Sequence, residues 1–261
     1  MTLFFHELKR NSLSLMVWSG AIAFMLAVCV FIYPEMASQM GELGDMFADM
    51  GSFSEAFGMD QLNFGEFMGY FAIECGNTLG LGGALFAAII GMGALAKEER
   101  DHTAELLLTL PVSRTKVVAE KFGALLVQIL VLNLVVVAAV AVSVLVIGEE
   151  VSLSKMALLF LAYVLLQIEL ACITFGISAF IKRGGLGIGI GLALLLYFVN
   201  ILSNLTEDAE FLKYITPFGY ADGSQVIANG AIEIKYLLVG AVFALLGVLA
   251  AFLKYNKKDI S

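Results

Sequence analysis

The chain of 261 residues is 60% hydrophobic and only 15% charged, with a formal net charge of −8. Soluble domains place more charge on their surfaces, so this composition excludes an ordinary soluble domain, and no nucleic acid is expected as a partner. The three cysteines, Cys29, Cys75 and Cys172, each lie within an apolar run. They therefore predict buried thiols rather than a disulfide framework or a metal site.

Six apolar segments are long enough to cross the roughly 30 Å hydrocarbon core of a bilayer as helices. The first follows Lys9 and Arg10, but it is too long for a signal peptide and no cleavage site follows it. The sequence therefore predicts an all-α integral membrane protein with a single membrane domain over residues 1–261. The predicted spans are 13–33, 69–96, 122–147, 155–181, 186–203 and 235–253.

Lysine and arginine are concentrated in the segments on one side of the six predicted spans. They concentrate before span one, in the loop 97–121, between spans four and five, and after span six, whereas the acidic loop 34–68 has neither. Because cytoplasmic loops carry the excess of lysine and arginine, we expect both termini in the cytoplasm. The basic residues on that side are Lys9, Arg10, Lys97, Arg100, Arg114, Lys116, Lys121, Lys182, Arg183, Lys254, Lys257 and Lys258.

The outer loop 34–68 contains apolar residues in a helical pattern. Met36, Met40, Leu43 and Phe47 recur at intervals of three and four, opposite a row of acidic residues. This pattern predicts a helix that lies on the outer surface. The alternative is a flexible, methionine-rich gate for an amphipathic or cationic substrate.

The loop between spans two and three has the pattern of a short, apolar-faced helix. Asp101 or Thr103 can cap it, and a run of leucines ends at Pro111, which stops the helix because a residue before proline avoids the α conformation. Ser113 or Thr115 can then cap the third span. We expect a push on this short helix to be transmitted directly into spans two and three. The alternative is an interfacial helix that lies among lipid headgroups.

The order of residue types in this loop resembles a known family. An acidic and basic lead is followed by Thr103-x-Glu105, a leucine pair, Pro-x-Ser-Arg and a later lysine, Lys121. This order is similar to the loop between spans two and three of type-2 ATP-binding cassette permeases. Residues 6–10, 216–220 and 257–260 resemble, in order, the N-terminal interface segment, the external segment before the last span and the tail of that family.

The resemblance implies a coupling helix that docks on a cytoplasmic ATPase. Residues 101–110 would take this role, and the amphipathic segment 1–11 would lie beside them. The residues of this chain that would couple to the ATPase are Glu98, Glu99, Arg100, Asp101, Thr103, Glu105, Leu106, Leu107, Leu108, Pro111 and Arg114.

The chain contains no phosphate-binding G-x-x-x-x-G-K-[ST] loop, so we expect it to bind no nucleotide and to be no enzyme by itself. ATP and magnesium would bind to a separate ATPase subunit. The family resemblance implies two permeases with two ATPases, and therefore a second copy of this chain or a sister permease. It also implies a multi-pass protein of the bacterial plasma membrane that exports a drug, a peptide or another amphipathic molecule.

Several polar residues lie inside the predicted spans. Glu169 falls in the middle of span four, and Glu74 lies near the outer end of span two beside Asn77. A carboxylate in a bilayer must be paired, protonated or hydrated, so these three residues are candidates for a substrate path, with interhelical hydrogen bonding as the alternative. Gln128, Asn133 and Asn200 are interpreted as interhelical hydrogen-bonding residues.

Glycines spaced four apart allow close approach of helices. The pairs Gly76 and Gly80, Gly185 and Gly189, and Gly187 and Gly191 show this spacing, which fits packing within the chain or between two chains. Permeases of the family that this chain resembles dimerise through spans one and five. Gly187 and Gly191 are therefore our candidates for dimer packing.

Three other functions compete with the transporter hypothesis. A proton-coupled secondary transporter would use Glu74 and Glu169, but no inverted repeat is visible. A membrane metalloprotease would need histidines inside the spans, whereas both histidines, His6 and His102, lie outside them. A membrane sensor or immunity protein that binds a peptide without moving it stays open, because the acidic outer loop would serve either function.

Overall fold

The computed structural model describes residues 2–49, 66–100, 113–181 and 185–257. Nearly all of these residues are helical, and two 3-10 helices, Glu207–Tyr214 and Pro217–Gly219, precede α8. A π-helical turn, Gly76–Gly80, joins α3 to α4. The helices are α1 (Thr2–Arg10), α2 (Ser12–Asp49), α3 (Phe67–Cys75), α4 (Leu81–Arg100), α5 (Arg114–Ile147), α6 (Leu153–Ser178), α7 (Leu186–Leu205), α8 (Gly223–Asn229) and α9 (Ile234–Lys257).

Six helical segments are long and apolar enough to cross a membrane, which confirms the predicted number of spans. The all-α class is also confirmed, since the residues that the structure describes form no strand. The six segments are Ser12–Ala37, Phe67–Ala96, Arg114–Ile147, Leu153–Ser178, Leu186–Leu205 and Ile234–Lys257.

Helix α6 occupies the centre of the bundle. It packs along α4 on one side and along α9 on the other, while α2 packs on α5 and α7 packs on α4. The crossing of α6 and α9 is very close, because a Cβ atom added to Gly176 would lie 2.5 Å from the backbone oxygen of Gly247. Only glycine allows two helix backbones to approach in this way.

Helix α2 is longer than the sequence pattern predicted. The expected span ended at Tyr33 and was followed by a loop, but the helix continues through Pro34 to Asp49. A proline removes one backbone hydrogen bond from a helix interior, so it usually ends or bends the helix. Here Met36 and Ala37 still pack against the hydrophobic core after the proline, and the helical stripe seen in the sequence continues α2 instead of forming a separate helix.

The bundle has two ends with different partners. At one end, which we call the α1 end, α1 packs against α5, and the start of α5 meets the last residues of α9. At the opposite end, the loop after α7 and the two 3-10 helices pack on α9, where Tyr214 and Tyr236 meet edge to face with ring centroids 4.7 Å apart.

Candidate functional site

A buried ion pair fixes α1 to the bundle. The Lys121 ammonium on α5 donates to the Glu7 carboxylate on α1 at 2.8 Å and to the Ala94 carbonyl on α4 at 2.8 Å. Lys121 is 2% exposed and Glu7 is 6% exposed. The backbone N–H of Phe4 also donates to Glu120 of α5 at 3.1 Å. Three helices thus meet at one charged side chain, whose ion pair and hydrogen bond offset the cost of removing the charge from water.

The start of α5 is capped and bound to the end of α9. Ser113 is the N-cap residue, and its hydroxyl accepts from the backbone N–H of Lys116 at 3.3 Å. The structure therefore selects Ser113 from the two caps expected for this span. Arg114 donates to the Asn256 carbonyl at 3.3 Å, and Thr115 donates to the Asn256 side chain at 3.3 Å. These contacts link the base of α5 to the last turn of α9.

The structure describes the two ends of the predicted coupling segment. Helix α4 ends at Arg100, so Glu98, Glu99 and Arg100 belong to its last turn, and α5 begins at Arg114. The remaining predicted coupling residues lie outside the described residues: Asp101, Thr103, Glu105, Leu106, Leu107, Leu108 and Pro111. The connection between the two helices is therefore shorter than the loop 97–121 drawn from the sequence, since helix occupies both of its ends.

Glu169 lies buried on α6 and faces α9. The hydroxyl of Tyr220 donates to the Glu169 carboxylate at 2.8 Å. The pKa of Tyr220 is raised well above its ordinary value, mainly by burial and also by the nearby Glu169 carboxylate. The phenol therefore keeps the proton that it donates. A Cβ atom at Gly240 of α9 would collide with the carboxylate, which shows how closely the two helices enclose it.

Glu74 and Asn77 contact different helices from Glu169. Glu74 is half-buried and accepts from the Cys29 thiol of α2 at 3.6 Å, while Asn77 accepts from the Tyr197 hydroxyl of α7 at 3.1 Å. Glu74 and Glu169, the two carboxylates that a proton-coupled transporter would use, therefore have separate partners among the described residues. The structure joins Glu169 to Tyr220, a pairing that sequence spacing does not indicate because 51 positions separate the two residues.

The three intramembrane amides differ in their bonding. Asn133 of α5 and Gln167 of α6 exchange hydrogen bonds at 2.7 Å and 3.4 Å, as expected of interhelical pairing. Gln128 instead donates to Ala124 of its own helix at 3.1 Å. The side-chain oxygen of Asn200 is buried without a hydrogen-bond partner among the described residues. Within the part of the chain that the structure describes, Asn133 is therefore the one of the three that has the expected interhelical bond.

A polar cavity of about 50 Å³ opens at the end opposite α1, and we call it the opposite-end cavity. Neither Glu74 nor Glu169 lines it, but Asn77 does. The π-helical turn forms one wall, since Gly76 and Gly80 both pack on Tyr163 of α6. Other walls come from α7 and from the segment that leads into α8. The polar residues in the lining are Asn77, Tyr163, Tyr197, Asn200, Asn204, Asp222 and Ser224.

The glycine pairs of α7 separate into two groups. Gly185 and Gly189 face α4, where a Cβ atom would lie 2.8 Å from Met92 and 3.0 Å from the Ala88 carbonyl, respectively. Gly187 and Gly191 have nothing within 4 Å of an added Cβ atom and lie on the exposed face of α7. The chain therefore uses the first pair for its own packing and leaves the second pair open.

Comparison with known proteins identifies one family. No curated protein matches the chain. A family model described as ABC-2 family transporter protein matches residues 1–260. This match agrees with the resemblance carried by the loop between spans two and three and with the six apolar helices. The chain belongs to the ABC-2 family of transporter proteins and is a multi-pass membrane component of such a transporter.

Proposed function

We propose that this chain is the permease subunit of an ATP-binding cassette exporter, driven by a separate cytoplasmic ATPase. Membership of the ABC-2 family supports the transporter role. The observation that carries the mechanism is the contact of Lys121 with Glu7 and with Ala94, because it ties α1, α4 and α5 into one unit around the ends of segment 101–112.

This arrangement converts a push into a movement of the spans. Segment 101–112 connects the last turn of α4 to the capped start of α5, so a force on it reaches both helices. Arg114 and Thr115 pass part of that force to the end of α9 through Asn256. Helix α4 packs on the central helix α6, so the movement continues to the core of the bundle. We assign the docking of the ATPase to segment 101–110, with α1 beside it.

The orientation that fits this mechanism places the α1 end in the cytoplasm. Lys9, Arg10, Lys116, Lys254 and Lys257 lie on the helices that meet at this end. Cytoplasmic ends carry the excess of basic residues, and the plasma membrane of a bacterium is the membrane that we propose. The opposite-end cavity then faces the outside of the cell.

The cargo that we propose is an amphipathic molecule, such as a drug or a peptide. The exposed apolar faces of α5, α7 and α9 contact lipid in a membrane, so a molecule already dissolved in the bilayer reaches the permease from the side. A second copy of this chain, or a sister permease, would complete the pathway.

Charge reversal tests the coupling proposal. Glu105→Lys adds a positive charge where the ATPase is proposed to dock, and Glu150→Lys makes the same change in the exposed connection between α5 and α6. With an ATPase partner in proteoliposomes, we expect Glu105→Lys to abolish its co-purification and ATP-dependent transport, and Glu150→Lys to retain both. The proposal fails if the two variants behave alike. Binding of a peptide without ATP-dependent movement would instead support a sensor.

A further inference from the structure

Three buried polar atoms around the opposite-end cavity have no hydrogen-bond partner among the described residues. They are the Tyr163 hydroxyl oxygen and the side-chain oxygens of Asn200 and Asn204. Tyr163 is only 1% exposed. Buried polar groups in native proteins are almost always paired, with protein, water or a ligand. Three unpaired acceptors around one space favour a guest that donates hydrogen bonds, which is water or a ligand.

Two glycines leave the space that the Tyr163 hydroxyl occupies. A Cβ atom added to Gly76 of the π-helical turn would lie 3.1 Å from this oxygen, and one added to Gly223 of α8 would lie 2.7 Å from it. Larger residues at these positions would displace the phenol. The hydroxyl is thus held at the cavity wall by two elements that are far apart in the sequence.

The charge of the cavity favours a cation. Asp222 carries the only ionisable carboxylate in the lining, which contains no lysine or arginine. Asn204 donates to the Asp222 carboxylate at 2.9 Å, so its amide N–H is used and its oxygen remains as an acceptor. Asp222 is also the N-cap of α8 and accepts from Ser224 and Gln225, but these donors are neutral and its negative charge remains. That charge, beside unpaired acceptors, attracts a positively charged group that can donate hydrogen bonds.

The walls and the size of the cavity favour an organic ammonium group. The rings of Tyr197 and Phe218 line the cavity and meet edge to face with centroids 5.4 Å apart. Aromatic faces attract ammonium groups through their negative π surface. A single water-sized guest needs roughly 10–15 Å³ of such space, so a cavity of about 50 Å³ holds an ammonium group with a short alkyl stem.

We propose that the opposite-end cavity binds a primary ammonium group, which donates to Tyr163, Asn200 and Asn204 beside the charge of Asp222. The guest is a small free amine or the head of a larger amphipathic amine. The proposal concerns binding by the permease chain alone, and it does not depend on the ATPase or on the direction of transport.

Thermal unfolding of the purified chain in lipid nanodiscs tests this site. The fluorescence of Trp18 reports unfolding while methylammonium chloride is added, with tetramethylammonium chloride and sodium chloride as matched salts. A ligand that binds only the folded state raises the unfolding temperature in a saturable way. We expect saturation with methylammonium, and none with tetramethylammonium, which lacks N–H donors, or with sodium. Absence of saturation, or equal effects of the three salts, overturns the proposal.

Two variants on different helices identify the site. Tyr163→Phe and Asn200→Ala each remove one acceptor, and we expect each to raise the half-saturating methylammonium concentration about tenfold or more. Tyr236→Phe removes a hydroxyl at the same end of the bundle but outside the cavity, and it should bind as the unaltered chain does. If either of the first two variants folds, as judged by gel filtration, and binds normally, the assignment is wrong.

Hexylammonium distinguishes the two sources of the ammonium group. Tighter binding than that of methylammonium identifies the head of an amphipathic amine, whereas equal binding identifies a small free amine. Either result keeps the ammonium site. A negative result in all arms leaves the charge-reversal test of Glu105 unaffected, so the two proposals fail separately.

Discussion

Lys121 shows what one side chain contributes to this membrane protein. Its ammonium group joins Glu7, which lies 114 positions earlier, and the Ala94 carbonyl 27 positions earlier. The sequence identified Lys121 as a basic residue on the predicted cytoplasmic side and as part of the family pattern. No periodicity indicates its partner, because the pair depends on how α1 folds back onto α5.

Removal of the Lys121 charge takes away the closest partner of the buried Glu7 carboxylate and leaves it the longer ion pair to Arg10 at 3.8 Å. We expect Lys121→Met to lower the free energy of unfolding by about 3 kcal/mol, measured by denaturation in detergent, because a buried carboxylate that loses its closest cation is strongly destabilised. Lys116→Met is the matched control on the same helix: Lys116 is 60% exposed and lies 4.0 Å from Glu120, so its loss should cost about 0–1 kcal/mol. Equal losses would show that the buried pair does not stabilise the fold.

The hydroxyl of Tyr220 satisfies Glu169 inside the bundle. Tyr220→Phe removes this bond and leaves the carboxyl group unpaired, so we expect a loss of about 1–3 kcal/mol in thermal or chemical unfolding. Tyr236→Phe removes a comparable 2.9 Å bond to Glu210, whose side chain is 58% exposed, and water replaces that bond. A smaller loss for Tyr220→Phe than for Tyr236→Phe would contradict the structural role of the buried pair.

At the scale of the elements, hydropathy was sufficient to predict the helices and insufficient to predict their irregularities. The apolar runs gave all six spans, because a backbone in hydrocarbon must satisfy its own hydrogen bonds. The continuation of α2 through Pro34 was not predicted, since proline is a local signal for a helix end. The π-helical turn was missed as well, because its position depends on the packing of Gly76 and Gly80 against Tyr163 of a distant helix.

The crossing of α6 and α9 depends on Gly176. Gly176→Ala places a Cβ atom 2.5 Å from the Gly247 oxygen, so the helices must separate, and we expect a loss of about 1–3 kcal/mol in the free energy of unfolding. Gly93→Ala is the matched control on α4, where nothing lies within 4 Å of an added Cβ atom. Its higher helix propensity should leave stability unchanged or raise it by up to about 1 kcal/mol. Equal effects would mean that the close crossing is not required.

At the scale of the whole molecule, α7 has an unused surface. Gly187 and Gly191 lie on its exposed face together with Ile188, Leu195 and Phe198. Small residues on such a face allow another helix to approach closely. The glycine spacing was visible in the sequence, but it offered three candidate pairs. The structure separates them, because Gly185 and Gly189 pack on α4 and the pair in the π-helical turn packs on Tyr163.

We propose that two permease chains associate through this surface, and added bulk on it should then weaken their association. We expect Gly187→Phe combined with Gly191→Phe to reduce the cross-linked dimer fraction in membranes by about half or more, because the helices can no longer approach, while the monomer stays folded. Val142→Phe adds the same type of bulk to the exposed face of α5 and should leave the dimer fraction unchanged. If the glycine variant dimerises normally, the seam lies elsewhere.

The length of α2 has a mechanical consequence. A helix of 38 residues is roughly 57 Å long, nearly twice the thickness of the hydrocarbon core. The end of α2 at Asp49 lies about 37 Å from the middle of the spanning part, Ser12–Ala37, so a tilt of the helix by about 10° around the bilayer midplane moves that end by about 6 Å. Two spin labels, one near Asp49 and one on α8, would report a conformational change of the transporter as a change in the distance between them. The measurement would be made at the end of the bundle opposite α1, away from the proposed docking site of the ATPase.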